Sequence, residues 1–226
     1  MSRNKKKSTF TSTAALMALL PVMFLAGLFV GYQVWATPTI EVSAAADTAA
    51  QKFDIPIYED DAVLGSADTP VTIIEFSDYQ CPYCRQYHNE TFDRILAEYG
   101  DVVQYVYKDL PLEQLHPEAV PAANAAHCAG EQDSFWEYHD LLFSNQQGFG
   151  FDAYIAYANS LELDMPAFVE CLEENRYLDT IDRDIQILVN LNAPLSTPTF
   201  FINGQYLAGA QPFSEFARLI EAELGN

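Results

Sequence analysis

The 226-residue chain reads as an α/β domain, a mixed sheet interrupted by a long helical insertion and preceded by an apolar N-terminal segment. Three observations predict this. A short β-branched run, Val71 to Phe76, leads through a loop into Cys81 and a helix, and a second such run, Val102 to Tyr107, follows that helix; this is the order of a βαβ unit with a parallel pair. Helical periodicity then dominates residues of about 113–192. Finally, Thr199 to Ile202 and Gln205 to Ala208 flank Asn203-Gly204, a strong hairpin signal because both turn positions need φ > 0.

Half the residues are apolar and 13% are aromatic, enough for a packed core. Eleven Lys and Arg against 32 Asp and Glu give a net charge of −21. Such a chain repels phosphate backbones, which excludes nucleic acid as its main partner.

The elements follow in order. Arg3, Lys5, Lys6 and Lys7 make residues 1–13 a basic head, and 14–36 carry no charge. More than twenty apolar residues suffice to cross a bilayer core of about 30 Å, and the basic flank stays cytoplasmic. Val34-Trp35-Ala36 offers a signal-cleavage site, but the run is long for a signal peptide and Tyr32 and Trp35 sit where interfacial aromatics belong. An uncleaved transmembrane anchor is the favoured reading and a cleaved signal segment the alternative; both deliver the domain outside the cytoplasm, to the periplasm or the outer membrane face, where disulfides persist. Residues 37–54 read as a tether to a domain over 55–226. Ile55 to Tyr58 is expected as the first strand. Val71 to Phe76 reads as a buried strand with Pro70 at its entry. Phe92, Ile95, Leu96 and Tyr99 share a helix face that Gly100 ends. Helical stretches over 119–129, 135–143, 151–159, 166–175 and 178–191 fill the insertion. A final amphipathic helix runs from Pro212 to Leu224.

Cys81-Pro82-Tyr83-Cys84 carries the chemistry. It follows a strand and opens a helix, the context of a redox CxxC. A helix start presents unpaired N–H groups and the positive end of the macrodipole, so a cysteine there ionises more easily, and the thiolate is the nucleophile. Pro82 suits the first turn, where its missing N–H costs nothing. Cys84 returns on the same face and can close a small disulfide ring. The rival reading is a metal site from Cys81, Cys84 and His88. Thr197-Pro198 precedes the late strand, and an X-Pro bond can be cis at modest cost.

Taken together, the stretch from Ala62 to Cys84 and the stretch Thr197-Pro198-Thr199-Phe200-Phe201-Ile202-Asn203-Gly204 resemble the DsbA-like thiol:disulfide oxidoreductases, over about residues 55–226. The resemblance implies a thioredoxin-like fold with an inserted helical subdomain, Cys81 as the exchanging sulfur and Cys84 as its buried partner. It further implies a cis Pro198, Thr197 in contact with substrate, and Glu75 as a buried acid that relays the Cys84 proton. Lys108 is expected as the charge partner of Glu75. Protein thiols and disulfides are the implied substrates, a quinone-linked membrane protein the implied reoxidising partner, and no cofactor is expected. Tyr83 stands where the strongest oxidants of the family carry histidine, which implies a less oxidising couple. Isomerases of this fold carry a separate dimerisation domain for which the tether leaves no room; an oxidase is the leading reading and a reductase the alternative. Cys128 and Cys171, each on an apolar helical stripe, form a structural disulfide on this reading, with free buried thiols as the alternative.

Overall fold

The computed structural model describes residues 52–225. The basic head, the apolar segment and nearly all of the tether lie outside them. Among the described residues, no helix is long and apolar enough to cross a membrane.

Five strands form one sheet: β1 (Ala62–Leu64), β2 (Val71–Ser77), β3 (Val103–Asp109), β4 (Thr199–Ile202) and β5 (Gln205–Ala208), in the order β1-β3-β2-β4-β5. β2 and β3 run parallel, with Glu75 opposite Tyr107 and Phe76 opposite Lys108. The other pairings are antiparallel. The helix that follows Cys81 is interrupted: α1 (Pro82–Tyr87) passes through a π turn (His88–Phe92) into α2 (Asp93–Tyr99), a local widening often found at functional sites. The insertion holds α3 (Ala119–Gly130), α4 (Phe135–Ser144), α5 (Phe151–Ser160), α6 (Met165–Glu174) and α7 (Leu178–Asn190), and α8 (Phe213–Leu224) closes the domain.

Strand parity sorts the core. Val71, Ile73, Tyr105, Phe200 and Ile202 pack with Tyr87, Phe92, Ile95, Phe216 and Ile220 of the flanking helices. Ile74, Phe76, Val106 and Phe201 pack with Ile187 and Leu188 of α7. A third cluster, with Tyr138, Phe143, Tyr154, Tyr157 and Phe168, lies in the insertion and reaches Cys81 and Cys84. Each large side chain buried in these layers contributes roughly 1.5–3 kcal/mol.

Two expectations are corrected. Ile55 to Tyr58 is not a strand; the sheet's first strand is β1, seven residues further on. Of that run only Ile55 is buried, while Ile57 and Tyr58 are exposed. Pro56 cannot donate to a ladder, and the Tyr58 N–H donates to Asp61 Oδ2 at 2.7 Å, turning the chain. Lys108 does not face Glu75. In a sheet, neighbours in register share a face; Lys108 shares one with Phe76, and Glu75 looks the other way with Tyr107. Fully buried, Lys108 pairs instead with Asp61 at 2.8 Å and Asp184 at 3.2 Å. Burial pushes the Asp184 carboxyl up to about 6, with Lys108 opposing.

The hairpin is as predicted. Asn203 and Gly204 have φ of 44° and 82°, and a Cβ on Gly204 would stand 2.5 Å from the Phe53 carbonyl oxygen, so only glycine fits. Asn203 also accepts from the Thr72 N–H at 2.8 Å and donates to the Pro70 carbonyl at 3.0 Å, tying the turn to the start of β2. In the insertion, Cys128 of α3 and Cys171 of α6 are joined, with Cα atoms 5.8 Å apart, an ordinary disulfide span.

Candidate active site

Cys81 sits at the N-cap of α1 with extended backbone angles, and Pro82 takes the first helical position. The loop before it is held by one side chain. Asp78 Oδ1 accepts the Gln80 N–H at 2.8 Å and the Cys81 N–H at 3.2 Å. Its Oδ2 accepts the Leu112 N–H at 2.9 Å and lies 2.7 Å from His116 Nδ1. Gln80 Oε1 in turn accepts the Glu118 N–H at 2.9 Å. The segment between β3 and α3 is thereby fastened to the CxxC loop, and the cysteine is presented by a fixed turn rather than a free one.

Cys81 and Cys84 are free thiols in this structure. Cys84 is completely buried and Cys81 nearly so, while Tyr83 between them is 62% exposed. The Thr197–Pro198 peptide is cis, and the Thr197 carbonyl oxygen stands 3.6 Å from Cys81 Sγ. The two motifs, 116 residues apart in the chain, thus meet at one sulfur. The Cys81 thiol is pulled down to about 5, first by hydrogen bonding from Cys84, then by Thr197 and the backbone N–H groups of Cys84 and Tyr83, against the opposing effect of burial. The Thr197 hydroxyl is buried and has no hydrogen-bond partner. Cys84 goes the opposite way: burial, Cys81 and the charge of Glu75 all push its thiol up. The pair is therefore split into an acidic sulfur and a reluctant one.

Glu75, 2% exposed, accepts a hydrogen bond of 2.5 Å from Tyr105 Oη, and Tyr105 Oη lies 3.0 Å from Tyr87 Oη. Burial raises the Glu75 carboxyl to about 7; hydrogen bonds from Tyr105 and Ser77 oppose the rise. A carboxyl at that value exchanges protons near neutrality. Because its folded value lies above the ordinary 4.5, ionising Glu75 costs folding energy, and the cost grows as pH rises from about 4.5 to 7. Glu75→Gln is therefore expected to gain one to a few kcal/mol of stability at pH 8 while slowing thiol exchange about a hundredfold; urea unfolding at pH 5 and pH 8 with stopped-flow exchange rates checks both.

Cys81, Cys84 and His88 do not form a ligand cluster. His88 Nε2 faces Asp140 Oδ1 at 3.0 Å, and among the described residues the three-ligand group is His88, His139 and Asp140. Sequence reading missed Asp78, Tyr105 and the histidine partners. Asp78 alone had a signal, an Asp in a loop just before a helix, where such side chains cap backbone N–H groups. His127 with Asp109 at 2.6 Å and His116 with Asp78 are brought together only by the fold.

A CxxC at a helix start facing a cis-proline loop, on a mixed sheet with a helical insertion, is the arrangement of the DsbA-like thiol:disulfide oxidoreductases. Residues 58–222 match the thioredoxin family model, and the chain belongs to that family. Among solved structures it is similar to oxidised BdbD from Bacillus subtilis, with a TM-score of 0.67 and 25% identity, covering 78% of this chain and 99% of that one. The fold is shared with α-DsbA1 of Wolbachia pipientis, TM-score 0.66 at 22% identity, covering 76% of this chain and 94% of that one. It is also shared with a thioredoxin-like oxidoreductase from Silicibacter pomeroyi, TM-score 0.63 at 24% identity over 75% and 95% of the two chains. Curated relatives include a Na(+)/H(+) antiporter NhaA 3 of Salinispora tropica, 40% identical over 152 residues, 67% of this chain and 23% of the relative. The NhaA antiporter of Herminiimonas arsenicoxydans is 32% identical over 164 residues, 73% of this chain and 26% of the relative. The chain thus spans about a quarter of the length of these curated relatives.

Proposed function

We propose that this chain is a membrane-tethered, extracytoplasmic thiol:disulfide oxidoreductase that works as an oxidase of secreted or envelope proteins. The observation that carries the direction is the split between the two sulfurs: a Cys81 thiol drawn down to about 5 beside a Cys84 thiol pushed up. Stabilising the Cys81 thiolate stabilises the reduced protein, and a stabilised reduced form makes the disulfide the better oxidant. The apolar segment with its basic flank and the Cys128–Cys171 bond support an oxidising compartment.

In the oxidase direction a substrate thiolate attacks Cys81 Sγ of the Cys81–Cys84 disulfide. The S–S bond breaks, Cys84 leaves as a thiolate and takes a proton from protonated Glu75, and a mixed disulfide links Cys81 to the substrate. A second substrate thiolate attacks the substrate sulfur, and Cys81 departs as the favoured thiolate. The substrate has lost two electrons to the CxxC pair, which a quinone-linked membrane protein then reoxidises. Thr197 offers its backbone to an extended substrate segment beside Pro198, in the manner of strand addition.

The alkylation rate of reduced protein is expected to follow thiolate formation with a midpoint near pH 5; a midpoint at the ordinary cysteine value of about 8.5 removes the oxidase argument. Redox titration separates the directions: a potential near that of thioredoxin, about −270 mV, favours a reductase, as does thiol trapping in cells that finds Cys81 and Cys84 mostly as dithiol.

A further inference from the structure

Outside the CxxC pocket, two imidazoles and a carboxylate converge on one point. His88 Nε2 lies 3.0 Å and His139 Nδ1 2.9 Å from the same oxygen, Asp140 Oδ1, and the three ligand atoms stand within 4.8 Å of one another. The His139 side chain is 1% exposed, that of His88 13% and that of Asp140 58%, so the group is walled on the protein side and open at the carboxylate. Phe92 and Phe143 stack on the His88 ring, and Trp136 meets the edge of His139. These walls fix the rings and bring no competing charge. His88 Nδ1 is buried without a partner, so no second hydrogen bond commits that ring elsewhere.

We propose that His88, His139 and Asp140 bind a divalent cation of the borderline class, with Zn2+ as the type. Two nitrogens and one carboxylate oxygen with a fourth position open to solvent is a ligand set that Zn2+ accepts. Metal–ligand bonds near 2.1 Å in tetrahedral array put ligand atoms about 3.4 Å apart, so the N···O distances of 3.0 and 2.9 Å open by a few tenths of an ångström while the two ring nitrogens, within 4.8 Å of each other, draw together as the half-exposed Asp140 side chain swings outward. The bound cation replaces the protons that now bridge the three groups. It ties the π turn, one turn past Cys84, to α4 of the insertion. This site stands on its own geometry and does not depend on the direction of thiol exchange.

The test is a Co2+ titration of the tag-free full chain in detergent, with Cys81 and Cys84 closed as a disulfide so that no thiolate competes. One saturable equivalent is expected, with a visible ligand-field band and no sulfur-to-cobalt charge-transfer band, displaced by Zn2+. Asp140→Asn, at an exposed carboxylate whose change leaves the core untouched, and His88→Gln are each expected to weaken binding tenfold or more, at least the loss seen when outer-shell partners are removed, about 10–100-fold. No saturable binding, or binding of unchanged affinity in Asp140→Asn, overturns the proposal.

Discussion

Cys81→Ser is expected to reduce thiol–disulfide exchange with a peptide disulfide to the uncatalysed rate, while in Cys84→Ser the Cys81 thiolate still attacks that disulfide, releases one peptide thiol and accumulates as a mixed disulfide. The asymmetry follows from the environments of the two sulfurs. Cys81 is the one held at about 5, with Thr197 and two backbone N–H groups turned toward it; a serine hydroxyl there does not ionise at neutral pH and forms no disulfide. Cys84 is completely buried and pushed up by its surroundings, so an incoming thiolate does not reach it. Removing it therefore takes away only the sulfur that, in this reverse direction, attacks Cys81 and frees the bound peptide. Non-reducing mass spectrometry after mixing the reduced variants with a peptide disulfide checks this: adducts on Cys81 in Cys84→Ser, with one peptide thiol released per adduct, and none in Cys81→Ser. Equal adduct formation by both variants would sink the assignment.

Replacing both Cys128 and Cys171 with alanine is expected to cost about 4 kcal/mol, the chain-entropy value for a closed loop of this length, whose ends are 43 residues apart. For a domain of this size the midpoint of thermal unfolding falls by roughly 10 °C. The bond joins α3 to α6, both inside the insertion, and leaves the sheet and the CxxC loop untouched. The alkylation profile of Cys81 is therefore expected to stay where it is while the melt shifts. Calorimetry of the double variant beside the parent, with alkylation under denaturing non-reducing conditions to count free thiols, measures both effects. A melt that does not move shows that the insertion is held by its aromatic core alone.

Much of this fold was readable in advance because its signals are local. β2 is a β-branched run, Asn203-Gly204 demands positive φ, and Cys81-Pro82 is a helix entry that can be recognised without a partner. The errors share a different cause. Ile55 to Tyr58 has strand composition, but strand formation depends on a neighbour, and β3 pairs with Ala62–Leu64 instead. Lys108 lies on the strand beside that of Glu75, but which face it takes depends on the register of the two strands, and a one-residue offset reverses the face. All four histidines lie within hydrogen-bonding distance of an aspartate. Apart from the adjacent His139 and Asp140, those partners are 18 to 52 residues away in the chain, beyond the reach of any periodicity. Asp78 is the clearest loss: its two oxygens join the CxxC loop to the segment after β3, and only one of those attachments is local.

The margins of the sheet carry a last consequence. β1 has three residues and β5 four, and part of the outer side of β5 is already taken by Lys52 bridging to Gln205. A foreign strand docking at either rim finds too few free amides and carbonyls to zip up, which discourages fibrillar self-association. On the proposed reading, an unfolded client has little foothold along either rim, which leaves the interior proline bend beside Cys81 as its place to dock.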